Sequence, residues 1–129
     1  MVGMKTSGSI SEAESVVMEV LWRTSPIATE DVMTALGPHG KWQESTVKTL
    51  INRLLKKGAV SARKDGRRYL YSPVLTRKQW ISQESLGFLN RLFGGRVAPL
   101  VAHFSSQRKL SKKDIADLKR LIQELDNEQ

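Results

Sequence analysis

Ser-Thr-Val-Lys-Thr-Leu-Ile-Asn-Arg-Leu-Leu-Lys-Lys-Gly, residues 45–58, is the stretch that decides the fold. Val47, Leu50, Ile51, Leu54 and Leu55 recur at i, i+3, i+4, i+7 and i+8, a spacing that predicts a helix with one apolar face. The other face carries Ser45, Thr46, Lys48, Thr49, Asn52, Arg53 and Lys56. It is polar and basic and holds no acid. Such a helix buries one side in a core and offers the other to a polyanion. Gly58 ends it.

Beyond Gly58, Val60 and Ala62 alternate with Ser61 and Arg63, the period of a half-buried strand. Asp65-Gly66 is a hairpin-turn signal. Tyr69 and Tyr71 alternate with Leu70 on the return strand, which Pro73 closes. Upstream, Trp42 stands just before the helix, placed to set its angle of approach. Ser11 with Glu14 fits a capping box. Ala13, Val17, Val20 and Leu21 share one side of the helix that follows, and Met18 and Trp22 widen it. Ser25-Pro26 breaks that helix, and Ile27 fits a very short strand. Thr29, Glu30 and Asp31 open a second helix, with acids at the positive end of its dipole. Val32, Ala35 and Leu36 are expected to face inward. Residues 1–8 read as small, polar and mobile, and Gly37-Pro38-His39-Gly40 as a loop. The order over residues 9–75 is helix, short strand, helix, helix, hairpin, which is that of a winged helix-turn-helix.

Residues 76–129 read as a separate helical region. Thr76 with Gln79 looks like an N-cap, and Trp80, Leu86, Leu89, Leu92 and Phe93 follow a looser helical spacing until Gly94-Gly95. Val97 to Phe104 is a short apolar stretch containing Pro99. Ser111 with Asp114 opens a last helix whose apolar positions, Ile115, Leu118, Ile122 and Leu125, are spaced 3, 4, 3. That is a heptad-like seam. So small a region has little core of its own for the seam to join, which favours pairing between two chains. Packing within the chain against residues 77–93 is the alternative. The expected fold class is therefore mainly α with a small β-hairpin: a winged helix-turn-helix followed by a helical dimerisation region.

Charge agrees with this division. The chain of 129 residues has a formal net charge of +8, distributed unevenly. Residues 1–40 hold two Lys/Arg and five Asp/Glu, residues 41–68 nine and two, and residues 69–129 ten and six, for nets of −3, +7 and +4. The excess peaks at the helix and hairpin, a local patch suited to a phosphate backbone. A solvated basic surface is the bland alternative.

Enzymatic constellations are missing. There is no cysteine, hence no disulfide, thiolate metal site or cysteine nucleophile. The two histidines, His39 and His103, lie in different segments, and no metal-ligand spacing, nucleophile motif or phosphate loop is found. No cofactor or metal is expected. With no secretory signal and no apolar run near the roughly 20 residues of a membrane span, the expected location is the cytoplasm. DNA contact does have named residues. Ser45, Thr46, Lys48 and Thr49 occupy the first two turns of the helix, where a recognition helix meets base edges. Thr hydroxyls and methyls can meet bases or phosphates, and Lys48 can reach guanine or phosphate. Arg53 lies further along, toward the backbone. Arg63, Lys64, Arg67 and Arg68 flank the hairpin turn and suit phosphates or an adjacent minor groove.

The combination resembles the BlaI/MecI group of penicillinase repressors. The matching features are Ser11-x-Ala13-Glu14-x-x-Val17-Met18-x-x-x-Trp22, then Trp42-x-x-x-Thr46-Val47-Lys48-Thr49-Leu50-Ile51-x-Arg53-Leu54, then Lys57-Gly58 and Tyr69-x-Tyr71. Gly94-Gly95, Leu100-Val101-x-x-Phe104, Leu110-Ser111 and Ile115-x-x-Leu118 complete a set that runs over about residues 9–125. The resemblance implies a homodimeric repressor, with the N-terminal winged helix on a palindromic double-stranded DNA operator and the C-terminal helices at the dimer contact. Its targets are often genes of β-lactam resistance.

The resemblance also implies a membrane sensor with a zinc-peptidase domain, which detects β-lactam and triggers cleavage of the repressor. In the best-known members the cut falls between Asn and Phe; the matching pair here is His103-Phe104, with the Phe kept and the Asn replaced. Cutting there would detach the helix of residues 111–126 and its seam. His103 has two other readings, a residue at a dimer contact and a pH-sensitive packing residue. Two further functions stay open: a regulator of other genes with a non-proteolytic signal, and a winged-helix module that binds protein.

Overall fold

The computed structural model describes residues 9–37 and 42–128. The segment expected to be mobile, residues 1–8, and most of the expected loop at Gly37–Gly40 lie outside them. The chain forms two compact units that divide between Ile81 and Ser82.

The first unit contains α1 (Glu12–Arg23), α2 (Thr29–Leu36), α3 (Glu44–Lys56), β1 (Val60–Asp65) and β2 (Arg68–Pro73), and ends in the first residues of α4 (Arg77–Phe93). α1 starts in a complete capping box: Ser11 Oγ accepts from the Glu14 amide, and the Glu14 carboxylate accepts from the Ser11 amide at 2.8 Å. α3 starts one residue before the quoted stretch, so Glu44 stands in its first turn. β1 and β2 pair antiparallel from Val60–Pro73 to Asp65–Arg68. That register leaves Gly66 and Arg67 as the loop, with Gly66 at φ +66° in the first loop position, where a tight hairpin favours glycine. Ile27 meets Tyr71 through two backbone hydrogen bonds of 3.0 and 2.8 Å, a single isolated bridge where the sequence suggests a very short strand.

The core is the shared inner surface of α1, α2 and α3. Val17, Met18, Leu21, Val32, Val47, Ile51 and Leu54 are buried there, with Leu75 beneath. Each such side chain removed from water contributes about 1.5–3 kcal/mol. Trp22, Trp42, Tyr71 and Trp80 pack around the edge. Trp22 Nε1 donates to the Leu75 carbonyl at 2.9 Å, and the Trp22 and Trp80 rings lie 5.4 Å apart. Trp80 thereby joins the first unit, and the division falls inside α4 rather than before it. Two inward expectations fail: Ala35 and Ala62 are exposed, while Met33 packs on the core beside Leu36. α2 is short and rolled so that Val32, Met33 and Leu36 make its inner edge. Beyond Val60 the hairpin projects as a wing: β1 is exposed, while β2 is half-buried from Leu70 to Pro73, with Tyr71 against the core.

The second unit contains the rest of α4, α5 (Val97–Ser106) and α6 (Lys112–Asn127). The apolar stretch with Pro99 is a helix: Pro99 stands in its first turn, where a missing amide breaks no intrahelical bond. Gly94 and Gly95, at φ +59° and +78°, end α4. Ser111 and Asp114 form a complete capping box at the start of α6, as Thr76 and Gln79 do ahead of α4. Among the described residues of this unit none is buried.

Candidate nucleic-acid interface

α3 divides its side chains as its periodicity requires. Val47, Leu50, Ile51 and Leu54 are buried; Ser45, Thr46, Lys48, Thr49, Asn52 and Arg53 are exposed. Ser45, Thr46, Thr49 and Arg53 line a shallow depression floored by Leu50. Thr49 Oγ1 donates to the Ser45 carbonyl at 2.9 Å, so its remaining hydrogen-bonding capacity is that of an acceptor. Lys48 Nζ lies 3.6 Å from the carboxylate of Glu44, one helical turn earlier. Both groups are solvated, and such a pair holds weakly in water. Arg53 has no acidic partner among the described residues.

The hairpin carries the remaining cations. The register sets Lys64 opposite Tyr69 and Arg63 opposite Leu70, so Arg63 and Lys64 leave opposite faces of the wing. Arg67 occupies the loop. Arg68 differs from them. Its guanidinium lies 3.3 Å from Glu30 on α2 and 3.8 Å from Asp65. That arginine links the turn end of the wing to α2, a contact that the sequence pattern does not reveal.

A second unforeseen link holds α3 from behind. Glu14 is 1% exposed and pairs with Lys57 at the C-terminal cap of α3. Lys57 Nζ also donates to the Ser9 carbonyl at 2.8 Å. Burial pushes the Glu14 carboxyl up; the hydrogen bonds from Lys57 and the Ser11 amide, with the Lys57 charge, outweigh burial and hold it below its ordinary value. The capping box was legible; the lysine that completes it comes from 43 residues away.

The remaining expected residues lie in the second unit. His103 and Phe104 are consecutive exposed residues near the C-terminal end of α5. The His103 ring lies 6.0 Å from Phe93 and 5.3 Å, edge-on, from Phe104. Its carbonyl accepts from the Gln107 amide at 3.1 Å. Ile115, Ile122 and Leu125 of α6 are exposed, and Leu118 is half-buried. Leu118 and Leu121 border an apolar groove with Leu100, Val101 and Phe104 of α5. Leu121, on the same side of α6, belongs with the seam but falls outside the 3, 4, 3 spacing. No helix of the described residues is long and apolar enough to cross a membrane.

Comparison with known proteins agrees with this geometry. A family model described as penicillinase repressor matches residues 10–124. The penicillinase repressor of Bacillus licheniformis is 36% identical over 124 residues, 96% of this chain and 97% of its own length. The solution structure of the DNA-binding domain of the repressor BlaI matches with a TM-score of 0.52 and 38% identity, over 59% of this chain and 93% of that one. The solution structure of Bacillus licheniformis BlaI in monomeric form, in complex with the blaP half-operator, matches with a TM-score of 0.50, 38% identity and the same coverage.

Proposed function

The chain belongs to the penicillinase repressor family, and from that premise we propose that it is a homodimeric transcriptional repressor that reads a palindromic DNA operator. The observation that carries this reading is the exposed first half of α3, where Ser45, Thr46, Lys48 and Thr49 stand clear of the core beside the basic wing. In this reading α3 lies in the major groove with its N-terminal turns on base edges. Arg53 and the wing cations Lys64, Arg67 and Arg68 hold phosphates. The relative solved on a half-operator supports the same assignment.

Dimerisation is assigned to the second unit. Its support is the absence of any buried residue among the described positions there, together with the exposed stripe of Ile115, Ile122 and Leu125 alongside Leu118. A twofold dimer presents two copies of α3 to half-sites one or two helical turns apart. Linking two modest contacts raises overall affinity by about two to four orders of magnitude.

Release is assigned to proteolysis at His103-Phe104 by a membrane sensor zinc peptidase. The bond is exposed and lies in the last turns of α5, so that unwinding a short helical end would present it in extended form. Cutting there separates α6 from the DNA-binding unit and abolishes the avidity. A signal other than proteolysis is the second reading, favoured by the histidine at position 103 and by the helical state of the bond.

The test is equilibrium binding of the full chain to a duplex from the adjacent promoter region and to a scrambled duplex of equal length. The reading expects operator binding tighter by at least about a thousandfold at physiological salt. Equal binding overturns it. A fragment ending at His103 after β-lactam exposure supports the cleavage step; an intact chain under full induction supports the second reading.

A further inference from the structure

We propose that Glu44 is a specificity-determining residue, reading together with Lys48 a C·G base pair in each half-site. The inference rests on the assignment of α3 to the major groove. Glu44 is the only acid in residues 41–64, a segment with seven Lys/Arg. It stands in the first turn of α3, the turn that meets base edges. Its side chain is 61% exposed, and its one charged partner among the described residues is Lys48 at 3.6 Å, itself 59% exposed.

An acid at this position works against the surface around it. Close to a polyanion it is repelled, and it cancels part of the charge that attracts phosphate. Its structural return is small. An exposed pair one turn apart contributes little, and a carboxylate near the helix start gains only from the dipole. A base edge supplies the missing reason. In the major groove cytosine offers an amino donor, and its guanine partner offers two acceptors, O6 and N7. A carboxylate beside an ammonium is the complement of that edge: Glu44 accepts from cytosine N4 while Lys48 donates to guanine. A T·A or A·T pair at the same place puts a carbonyl or a methyl group against one of the two charges. The acid therefore contributes by rejecting wrong sequences as well as by holding the right one.

Selection from a randomised duplex library with the full-length wild type, Glu44→Ala and Glu44→Gln tests this. The wild type is expected to enrich one C·G pair per half-site, favoured over its alternatives by about ten- to a hundredfold. Glu44→Ala is expected to lose the preference at that position alone and keep the rest of its consensus. Glu44→Gln, whose amide pairs best with adenine, is expected to move that position toward A·T. An unchanged consensus in Glu44→Ala, with uniformly tighter binding to every duplex, overturns the inference and leaves Glu44 as a charge brake, while the repressor reading stands. A wild type that enriches no sequence overturns both.

Discussion

Lys57, at the end of α3, reaches across to Glu14 in the first turn of α1 and neutralises a carboxylate that is otherwise sealed from water. The contact fixes the far end of α3 against α1, so the angle at which α3 leaves the core depends on it. Lys57→Ala leaves the buried charge without its partner and is expected to destabilise the protein by about 2 kcal/mol, less than for a fully buried pair because Lys57 is partly solvated. Glu14→Gln keeps an acceptor for the Ser11 amide and is expected to lose about 1 kcal/mol. Urea denaturation of the two variants and of the double variant Glu14→Gln/Lys57→Met checks this. Coupling between the sites appears as a double-variant loss smaller than the sum of the single losses.

The same pair sets a pH dependence. The Glu14 carboxyl is held below its ordinary 4.5 in the folded chain. The unfolded chain therefore binds the proton more readily. The stabilisation is fully present above pH 4.5 and is lost as pH falls through the lowered folded value. The stability gap between wild type and Glu14→Gln is expected to stay constant from pH 7 to about 5 and to shrink below 4.5. A gap that is flat down to pH 3 would show that the carboxylate gains nothing from Lys57.

On DNA, the residues of α3 and the wing are expected to separate by type. Lys48→Ala and Thr49→Ala should weaken operator binding more than binding to random duplex. Arg67→Ala should weaken both and lower the slope of log K against log salt by about one. Arg68→Ala is expected to cost less than Arg67→Ala, because Arg68 must first leave Glu30 and Asp65. Fluorescence anisotropy at several salt concentrations distinguishes these outcomes, and an Arg68→Ala loss equal to that of Arg67→Ala would mean that the Glu30 tether breaks freely on binding.

Much of this was legible from local pattern. The α3 face, the three N-terminal capping signals and the hairpin depend on residues within a few positions of one another, and α3, β1 and β2 form where the periodicity puts them. What escaped depends on distance or on context. The Glu14–Lys57 and Glu30–Arg68 pairs join segments that have no sequence relationship. Ala35 and Ala62 satisfy a period but are too small to show which way a short helix or a projecting strand is turned. α5 was obscured by Pro99, a helix breaker everywhere except in the first turn. Leu121 was missed because a strict seam counts alternate threes and fours, whereas the apolar side of α6 is wider.

That wider side of α6 makes the dimer proposal sharp. Ile122 and Leu125 are 58% and 60% exposed in the single chain, so a charge at either position meets water and leaves the first unit's core intact. The double variant Ile122→Asp/Leu125→Asp is expected to sediment as a monomer at concentrations where the wild type is a dimer. Tryptophan fluorescence from the Trp22–Trp80 cluster should stay native. Operator affinity is expected to fall by about a hundredfold or more, while affinity for a single half-site stays unchanged. A variant that still sediments as a dimer would move the contact off α6 and onto the apolar groove between α4 and α5, where Phe88, Leu89 and Leu100 are the remaining candidates.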